Sequence, residues 1–214
     1  MKSFAIPMVV MSLVGFCFLS GLGTPPVQAD FTYGEPTNLG PAINSSANEF
    51  GPYFSADGLE LYLSRGTARS DTWIARRATV DSEWEPASRL GPPVDMGDDS
   101  TPFIASDGLS LYFDSGRAGG YGSYDLWVTT RATTDDNWGP PVNVGATVNS
   151  SAEDWGASLS ADGLELYFTS NRPGGYGSFD LWVTTRATVN TDWGTPVNLG
   201  PPFNTSASDA YPSK

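Results

Sequence analysis

The residues with the greatest potential for chemistry are three aspartates that recur at nearly regular intervals. Asp57, Asp107 and Asp162 each precede a glycine (Gly58, Gly108 and Gly163), at spacings of 50 and 55 residues. Glycoside hydrolases use paired carboxylates at a defined separation as acid and base or nucleophile. An Asp-Gly pair is also a common tight turn, because the carboxylate accepts a backbone hydrogen bond and glycine adopts positive φ values without strain. We therefore assign the three pairs to turns and predict no catalytic residue.

A second set of aspartates stands at the start of a strand-like segment in each interval, and an arginine precedes each aspartate by six or eight residues. We expect these residues to form an Arg-to-Asp pair across a loop, or the aspartates to accept backbone hydrogen bonds. If the arginines instead face a central channel, Arg117 and Arg172 could hold a ligand. The three pairs are Arg65 with Asp71, Arg117 with Asp125, and Arg172 with Asp180.

Aromatic residues follow the same intervals. Trp73, Trp127 and Trp182 lie within apolar strand-like segments, where a large ring most often packs between sheets. Tyr121 and Tyr176 lie in glycine-rich loops and are better candidates for contacting a ligand at the surface. The candidate ligand-binding residues are therefore Arg117, Tyr121, Arg172 and Tyr176. Trp155 replaces Phe50 of the first interval, and we expect it to be a packing residue.

The composition removes several classes of chemistry. The chain has one cysteine and no histidine, which excludes His-based triads, zinc thiolate sites and, once the segment that contains the cysteine is cleaved, thiol nucleophiles. The densest acidic segment, residues 95–100, lacks the spacing of a calcium loop and is expected to be a solvated loop. We predict no metal and no cofactor. The net charge of −13 repels nucleic acid and anionic lipid.

Residues 1–29 have the pattern of a signal peptide. Lys2 precedes an apolar run over residues 4–22, and small residues lead to a cleavage site before Asp30. We predict an exported protein with no membrane insertion after cleavage. The alternative is a retained membrane anchor, since the apolar run approaches the length that spans a bilayer.

Residues 30–214 are predicted to form one repeat domain. Each interval contains two strands around the Asp-Gly turn, a third strand that contains the first tryptophan, and a proline-containing fourth segment that belongs at a sheet edge. Four antiparallel strands repeated at about 50 residues are typical of β-propeller blades. The fold class is all-β, with full repeats over 49–98, 99–152 and 153–208, a closing strand at 31–44 and a partial fourth repeat at 209–214. The glycosylation sequons at Asn44, Asn149 and Asn204 recur in register, which indicates turn residues.

One motif resembles a known family. Ser-Ala-Asp-Gly followed by a Leu/Tyr strand and then SNRPGGYGSFDLW at 170–182 resembles the WD-like propeller repeat of the TolB type. The resemblance covers residues 49–200 in three copies. The first copy departs most, because it is four residues shorter and lacks the Gly-Gly-Tyr-Gly loop. The resemblance implies a non-enzymatic periplasmic or outer-membrane-associated propeller that binds protein or another envelope macromolecule.

The repeat count leaves two hypotheses about the ring. A fourth Asp-Gly pair is due near position 217, beyond Lys214, and three blades form an open arc, whereas propellers have four to eight blades. Either two chains pair into a six-bladed homodimer or the chain is a piece of a longer one, and light scattering separates the two. We predict a secreted or periplasmic binding scaffold. The alternatives are a carbohydrate-binding module that uses loop aromatics, and the propeller part of a peptidase or glycosidase.

Overall fold

The structure is a computed structural model that describes residues 34–66, 70–96 and 98–213. The predicted signal peptide and its cleavage site lie outside the described residues. Within these ranges, no helix is long and apolar enough to cross a membrane.

Three four-stranded antiparallel sheets make up the fold, and each has its strands in sequence order. This confirms the predicted all-β fold of four-stranded blades. Blade 1 contains β1 (Asn48–Phe54), β2 (Glu60–Gly66), β3 (Ser70–Arg76) and β4 (Ser88–Arg89). Blade 2 contains β5 (Asp99–Ile104), β6 (Ser110–Ser115), β7 (Asp125–Thr130) and β8 (Val142–Asn143). Blade 3 contains β9 (Asp154–Leu159), β10 (Glu165–Ser170), β11 (Asp180–Thr185) and β12 (Val197–Asn198).

The first strands of neighbouring blades contact each other, β1 with β5 and β5 with β9. These strands therefore form the inner edge of the arc, where the blades converge. The two-residue fourth strands lie at the opposite edge of each sheet, as predicted for segments in which proline cannot donate to a ladder.

The Asp-Gly pairs are turns, as predicted. In each copy the aspartate Oδ1 accepts a hydrogen bond from the backbone N–H two residues later, at 2.8 to 3.0 Å. The following glycine has a φ of 69 to 71°, a region that residues with a side chain rarely adopt. The turn joins the first and second strands of every blade.

An arginine that follows the third strand locks each of these turns. Its Nε donates to the carbonyl oxygen of the turn glycine at 2.8 Å in all three blades. Its guanidinium lies 4.2 to 4.4 Å from the ring centre of the second tryptophan of the repeat. The three pairs are Arg77 with Trp84, Arg131 with Trp138, and Arg186 with Trp193. Arg131 also forms an ion pair with Glu60 of blade 1 at 2.7 Å, so this contact also joins two blades.

The hydrophobic core lies between the blades. The cluster between blades 1 and 2 contains Trp127, and the cluster between blades 2 and 3 contains Trp182. Trp73 packs on a third cluster, at the face of blade 1 where Ile43 is buried. The prediction that these tryptophans pack between sheets is confirmed for Trp127 and Trp182, whose rings are buried.

One apolar residue in the loop before each blade is inserted into these clusters. Ile43, Val94 and Val148 occupy this position and are buried. Phe203 occupies the equivalent position after blade 3, where no described strand covers it, and it is 63% exposed. The loops around Val148 and Phe203 share the same turn hydrogen bonds to Gly145 and Gly200, and the two positions differ in burial.

This pair of positions provides a matched test of blade packing. We expect Val148→Ala to lower the free energy of unfolding by about 2 kcal/mol, because it removes buried methyl groups and leaves a cavity. Phe203→Ala removes a larger side chain, yet we expect it to change the same quantity by less than about 0.5 kcal/mol, because the ring is largely in solvent. Urea unfolding of both variants measures the difference, and equal effects would contradict the burial described here.

Candidate functional site

The two candidate arginines are held inside the framework. Arg117 donates to the Asp99 carboxylate at 2.7 Å and to the carbonyl oxygen of Val94. Arg172 makes the equivalent contacts with Asp154 at 2.5 Å and with Val148 at 2.6 Å. Each guanidinium also lies about 5 Å from a phenylalanine ring and from the first tryptophan ring of its own repeat.

The predicted Arg-to-Asp pairs across the loop are wrong. The structure pairs each arginine with an acid on the first strand of its own blade: Arg65 with Glu49, Arg117 with Asp99, and Arg172 with Asp154. The reason is strand register, because Asp99 lies directly opposite Ser115 and Asp154 opposite Ser170, each two residues before the arginine. The sequence spacing alone did not reveal this neighbour across the sheet.

Asp125 and Asp180 instead accept backbone hydrogen bonds from the glycine-rich loops, which was the alternative that the sequence analysis left open. Asp125 accepts hydrogen bonds from the N–H groups of Tyr121 at 2.6 Å and Gly122 at 3.2 Å. A Cβ atom at Gly122 would overlap the carbonyl oxygen of Ala152, so only glycine fits in this loop. Asp180 holds the equivalent loop of blade 3 through the N–H groups of the residues at 176 and 177.

The tyrosines of these loops point to solvent, with Tyr121 53% and Tyr176 57% exposed. The backbone that presents them is fixed by the aspartates described above. The structure therefore places the four candidate residues in two environments, the arginines within the blades and one exposed tyrosine on each of two blades. It does not bring all four into one cavity.

The prediction of a solvated loop over residues 95–100 is wrong for two of its aspartates. Asp95 and Asp99 are buried, because each has an arginine partner. Asp95 pairs with Arg89 at 2.5 Å, at positions where the next copy has the hydrogen-bonded pair Asn143 and Asn149. The ion pair between Arg89 and Asp95 therefore takes the place of the hydrogen-bonded asparagine pair. No group of three potential metal ligands occurs among the residues that the structure describes.

The sequon asparagines are structural, as predicted from their register. The side-chain amide of Asn149 donates to the carbonyl oxygen of Leu126 and its oxygen accepts from the Leu126 N–H, both at 2.9 Å. Asn204 makes the same two contacts with Leu181. The side-chain amides of Asn149 and Asn204 therefore have hydrogen-bond partners within the protein.

A cleft of about 260 Å³ opens at the inner edge of the arc, beside the first strands of all three blades. We call it the inner cleft. Its wall contains four aromatic residues and three acidic residues, and no described lining residue is basic. The aromatic residues are Phe50, Tyr124, Trp155 and Tyr211, and the acidic residues are Asp98, Asp114 and Glu153.

Trp155 forms the centre of the aromatic wall. Its ring packs edge-on against Tyr211 with 4.9 Å between ring centres, and against Phe179 at 5.4 Å. Trp155 and Phe50 do occupy equivalent positions, since each directly precedes a glycine with positive φ, Gly156 and Gly51. Both residues line the inner cleft and remain partly exposed.

A repeated backbone irregularity directs these residues toward the cleft. Each first strand has a register shift, and bulges of this kind re-aim side chains at sheet edges. Within the shift in blades 2 and 3, a backbone N–H donates to a side chain on the second strand of the preceding blade. These contacts are Thr101 to Ser64 Oγ at 2.8 Å and Gly156 to Asp114 Oδ1 at 3.2 Å. The equivalent contact after blade 3 joins Tyr211 to Thr169 Oγ1 at 3.2 Å.

Asp114 is the exceptional member of this series, because Ser64 and Thr169 supply a neutral hydroxyl at the same position. Its carboxyl group is buried and accepts hydrogen bonds from the hydroxyls of Ser100 and Thr101 as well as from Gly156. Burial raises the pKa of Asp114 to about 7, although the hydrogen bonds act in the opposite direction. A carboxyl group that changes charge near neutral pH therefore lies in the wall of the cleft.

Tyr124 and Asp98 form a second polar pair in the wall. Burial, followed by the hydrogen bond to Asp98 and its negative charge, raises the pKa of Tyr124 to about 12. The phenol therefore remains protonated at neutral pH and donates to the Asp98 carboxylate.

Sequence reasoning did not identify the inner cleft. Its residues are scattered over the first strands and the adjoining loops, and their convergence depends on how the blades pack. One signal was present: the seventh residue after each turn aspartate is Ser64, Asp114 or Thr169, so the second copy has a carboxylate where the others have a hydroxyl.

Comparisons with known proteins identify the architecture. No family model matches the chain, and no characterised protein matches it in sequence. Among solved structures, TolB from Acinetobacter baumannii superposes with a TM-score of 0.51 and 18% identity, over 74% of this chain and 33% of that one. An α-L-arabinofuranosidase from Lactobacillus brevis gives 0.50 and 16%, over 76% of this chain and 56% of that one. A putative TolB from Agrobacterium tumefaciens gives 0.49 and 19%, over 77% and 54%.

These likenesses show the fold and no more. The chain is similar to part of each β-propeller and spans between about a third and a little over half of their lengths. The three sheets are therefore blades of a β-propeller.

The raised pKa of Asp114 predicts a pH-dependent stability. The folded-state pKa lies above the ordinary value of 3.8, so the folded protein binds the proton more tightly than the unfolded chain. The stabilisation from the protonated group is complete below pH 4 and is lost as the pH rises toward about 7. Across that range we expect the unfolding free energy of the wild type to fall relative to Asp114→Asn by up to about 4 kcal/mol. Urea unfolding from pH 4.5 to 7.5 measures this, and a pH-independent difference would contradict it.

Proposed function

We propose that the protein is an exported, non-enzymatic β-propeller that binds a protein or another macromolecule of the cell envelope through the inner cleft. Its location would be the periplasm, the outer-membrane surface or the medium. The observation on which this depends is the inner cleft itself, where aromatic and carboxylate side chains meet with no basic residue among those described.

The differences between the three blades favour this site. The turn aspartates and the arginines that lock the turns have the same contacts in every copy. In contrast, the cleft position before the bulge is Phe50, Ser100 or Trp155 in successive blades. Side chains that differ at equivalent backbone positions are candidates for recognition, whereas the turn contacts that repeat in every blade belong to the framework.

The envelope location has separate support. Residues 1–29 have the pattern of a signal peptide, and the motif at 170–182 resembles TolB-type repeats. The similarity to TolB structures supports the fold on which this proposal is built.

Pairing of two chains into one ring remains a prediction, and the structure adds a condition to it. Ile43 is already inserted at the outer face of blade 1, and the loop that contains Phe203 has the equivalent place next to blade 3. If blade 3 of one chain packed on blade 1 of another, these two segments would compete for one position. A homodimer of that kind therefore requires one segment to move.

Site-specific photo-cross-linking tests the proposed binding site. A photoreactive phenylalanine analogue at position 211 should give a discrete adduct in intact cells of the native host, because Tyr211 lines the inner cleft and is 62% exposed. The same analogue at Val142, 64% exposed on the outer strand β8, is the matched control. Adducts at both positions, or only at Val142, would contradict binding through the cleft.

Hydrolysis of a glycoside is a second candidate function, because one observation favours it. Asp114 has a pKa of about 7 and shares the cleft wall with the carboxylate of Glu153, and glycosidases use an acid with a raised pKa together with a second carboxylate. If this candidate is right, nitrophenyl glycosides should be cleaved by the wild type and at least 100-fold more slowly by Asp114→Asn. Equal background rates in the two proteins would leave the binding function standing.

A further inference from the structure

We propose that the inner cleft recognises a guanidinium group, so that its ligand is an arginine-containing, basic segment of a partner protein. This inference rests on the proposed binding function and specifies the chemistry of the partner. It follows from how the protein holds its own arginines, from the composition of the cleft wall, and from the balance of charges in the chain.

The protein repeatedly binds guanidinium groups with one arrangement, an aromatic face and a nearby carboxylate. Arg65 lies 4.1 Å from the centre of the Trp73 ring and pairs with Glu49 at 2.9 Å. Arg131 lies 4.4 Å from the Trp138 ring and pairs with Glu60. Arg117 and Arg172 combine the same two elements. Four of the eight described arginines therefore have an aromatic ring beside a carboxylate.

The inner cleft contains the same elements without an arginine among its described lining residues. Trp155 and Tyr211 form the aromatic surface, and Asp98 and Glu153 contribute carboxylates to the same wall. Among the described residues, neither Asp98 nor Glu153 forms an ion pair with an arginine. A cationic side chain of a partner would complete an arrangement that the blades complete internally.

Charge and size are consistent with a basic peptide. The chain has 24 acidic and 11 basic residues, so its long-range field attracts cations. A cleft of about 260 Å³ has room for a side chain with part of its backbone. Arginine fits better than lysine, because a planar guanidinium stacks on a ring and also forms paired hydrogen bonds with a carboxylate.

Calorimetric titration of the mature protein with designed hexapeptides tests the proposal. The probes are (Arg-Gly)₃, (Lys-Gly)₃ and (Glu-Gly)₃, together with xylohexaose as a neutral ligand that also uses aromatic surfaces. We expect (Arg-Gly)₃ to bind most tightly and (Glu-Gly)₃ not to bind. Glu153→Gln and Trp155→Ala should each weaken the binding of (Arg-Gly)₃ by about tenfold, since the first removes a carboxylate and the second an aromatic ring of the wall.

The control variant is Asp192→Asn, which removes the same charge in an exposed turn between β11 and β12. It should change the affinity by less than about twofold. If Trp155→Ala lowers the thermal midpoint, Glu153→Gln alone decides the result, because its neutral side chain has nearly the same shape.

Each remaining outcome overturns the proposal. These outcomes are equal binding of the arginine and lysine peptides, equal affinity in the wild type and Glu153→Gln, binding of xylohexaose alone, and no binding of any probe. Cross-linking at position 211 is independent of these titrations. An adduct there without arginine binding would leave the proposed function standing and contradict only the class of ligand.

Discussion

The structure depends on arginine side chains that pack against tryptophan rings. Such contacts occur at both ends of the blades. At one end, the arginine after each third strand fixes the Asp-Gly turn. At the other end, an arginine that follows the second strand pairs with an acidic residue of the first strand. A charged group loses hydration when it is buried, so the arrangement is stable only if each guanidinium also meets a carbonyl or carboxylate oxygen. The eight arginines of the described residues all have such a hydrogen bond or ion pair. The framework therefore uses the positive charge of the chain internally, and the acids in excess lie elsewhere, some of them in the inner cleft.

The repeats act as internal comparisons within one molecule. Where blades 2 and 3 end in an asparagine pair, blade 1 ends in the ion pair between Arg89 and Asp95. Both solutions connect the fourth strand to the following loop, so a neutral hydrogen bond and a charged one serve the same purpose at equivalent backbone positions. The comparison of Val148 with Phe203 has the opposite character, because the turn hydrogen bonds are the same and the covering surface differs. Local structure is thus set by the repeat, and burial is set by the neighbouring blade.

Much of the fold could be predicted from the sequence because it depends on local patterns. The Asp-Gly turns, the edge position of the proline segments and the burial of Trp127 and Trp182 follow from turn chemistry, the missing N–H of proline and strand hydrophobicity. The partner of Arg117 could not be predicted from spacing, since Asp99 reaches it across the sheet through strand register. The cleft depends on longer-range geometry again: Asp98, Asp114, Glu153 and Tyr211 are far apart in sequence and meet only because three blades converge. Sequence patterns therefore predict the blade, and the site requires the arrangement of blades.

Asp114 links the framework to the site. A serine or threonine would accept the hydrogen bond from the next blade, as Ser64 and Thr169 do, without the penalty of a buried carboxylate. A locally unfavourable residue in the wall of a cleft that spans three blades is a candidate functional position. Its carboxyl group accepts hydrogen bonds from the hydroxyls of Ser100 and Thr101, and its ionisation near neutral pH adds negative charge to the wall of the cleft. The inner cleft is then acidic in two ways, through Asp98 and Glu153 and through the buried carboxyl group of Asp114 in the same wall, whose ionisation depends on pH.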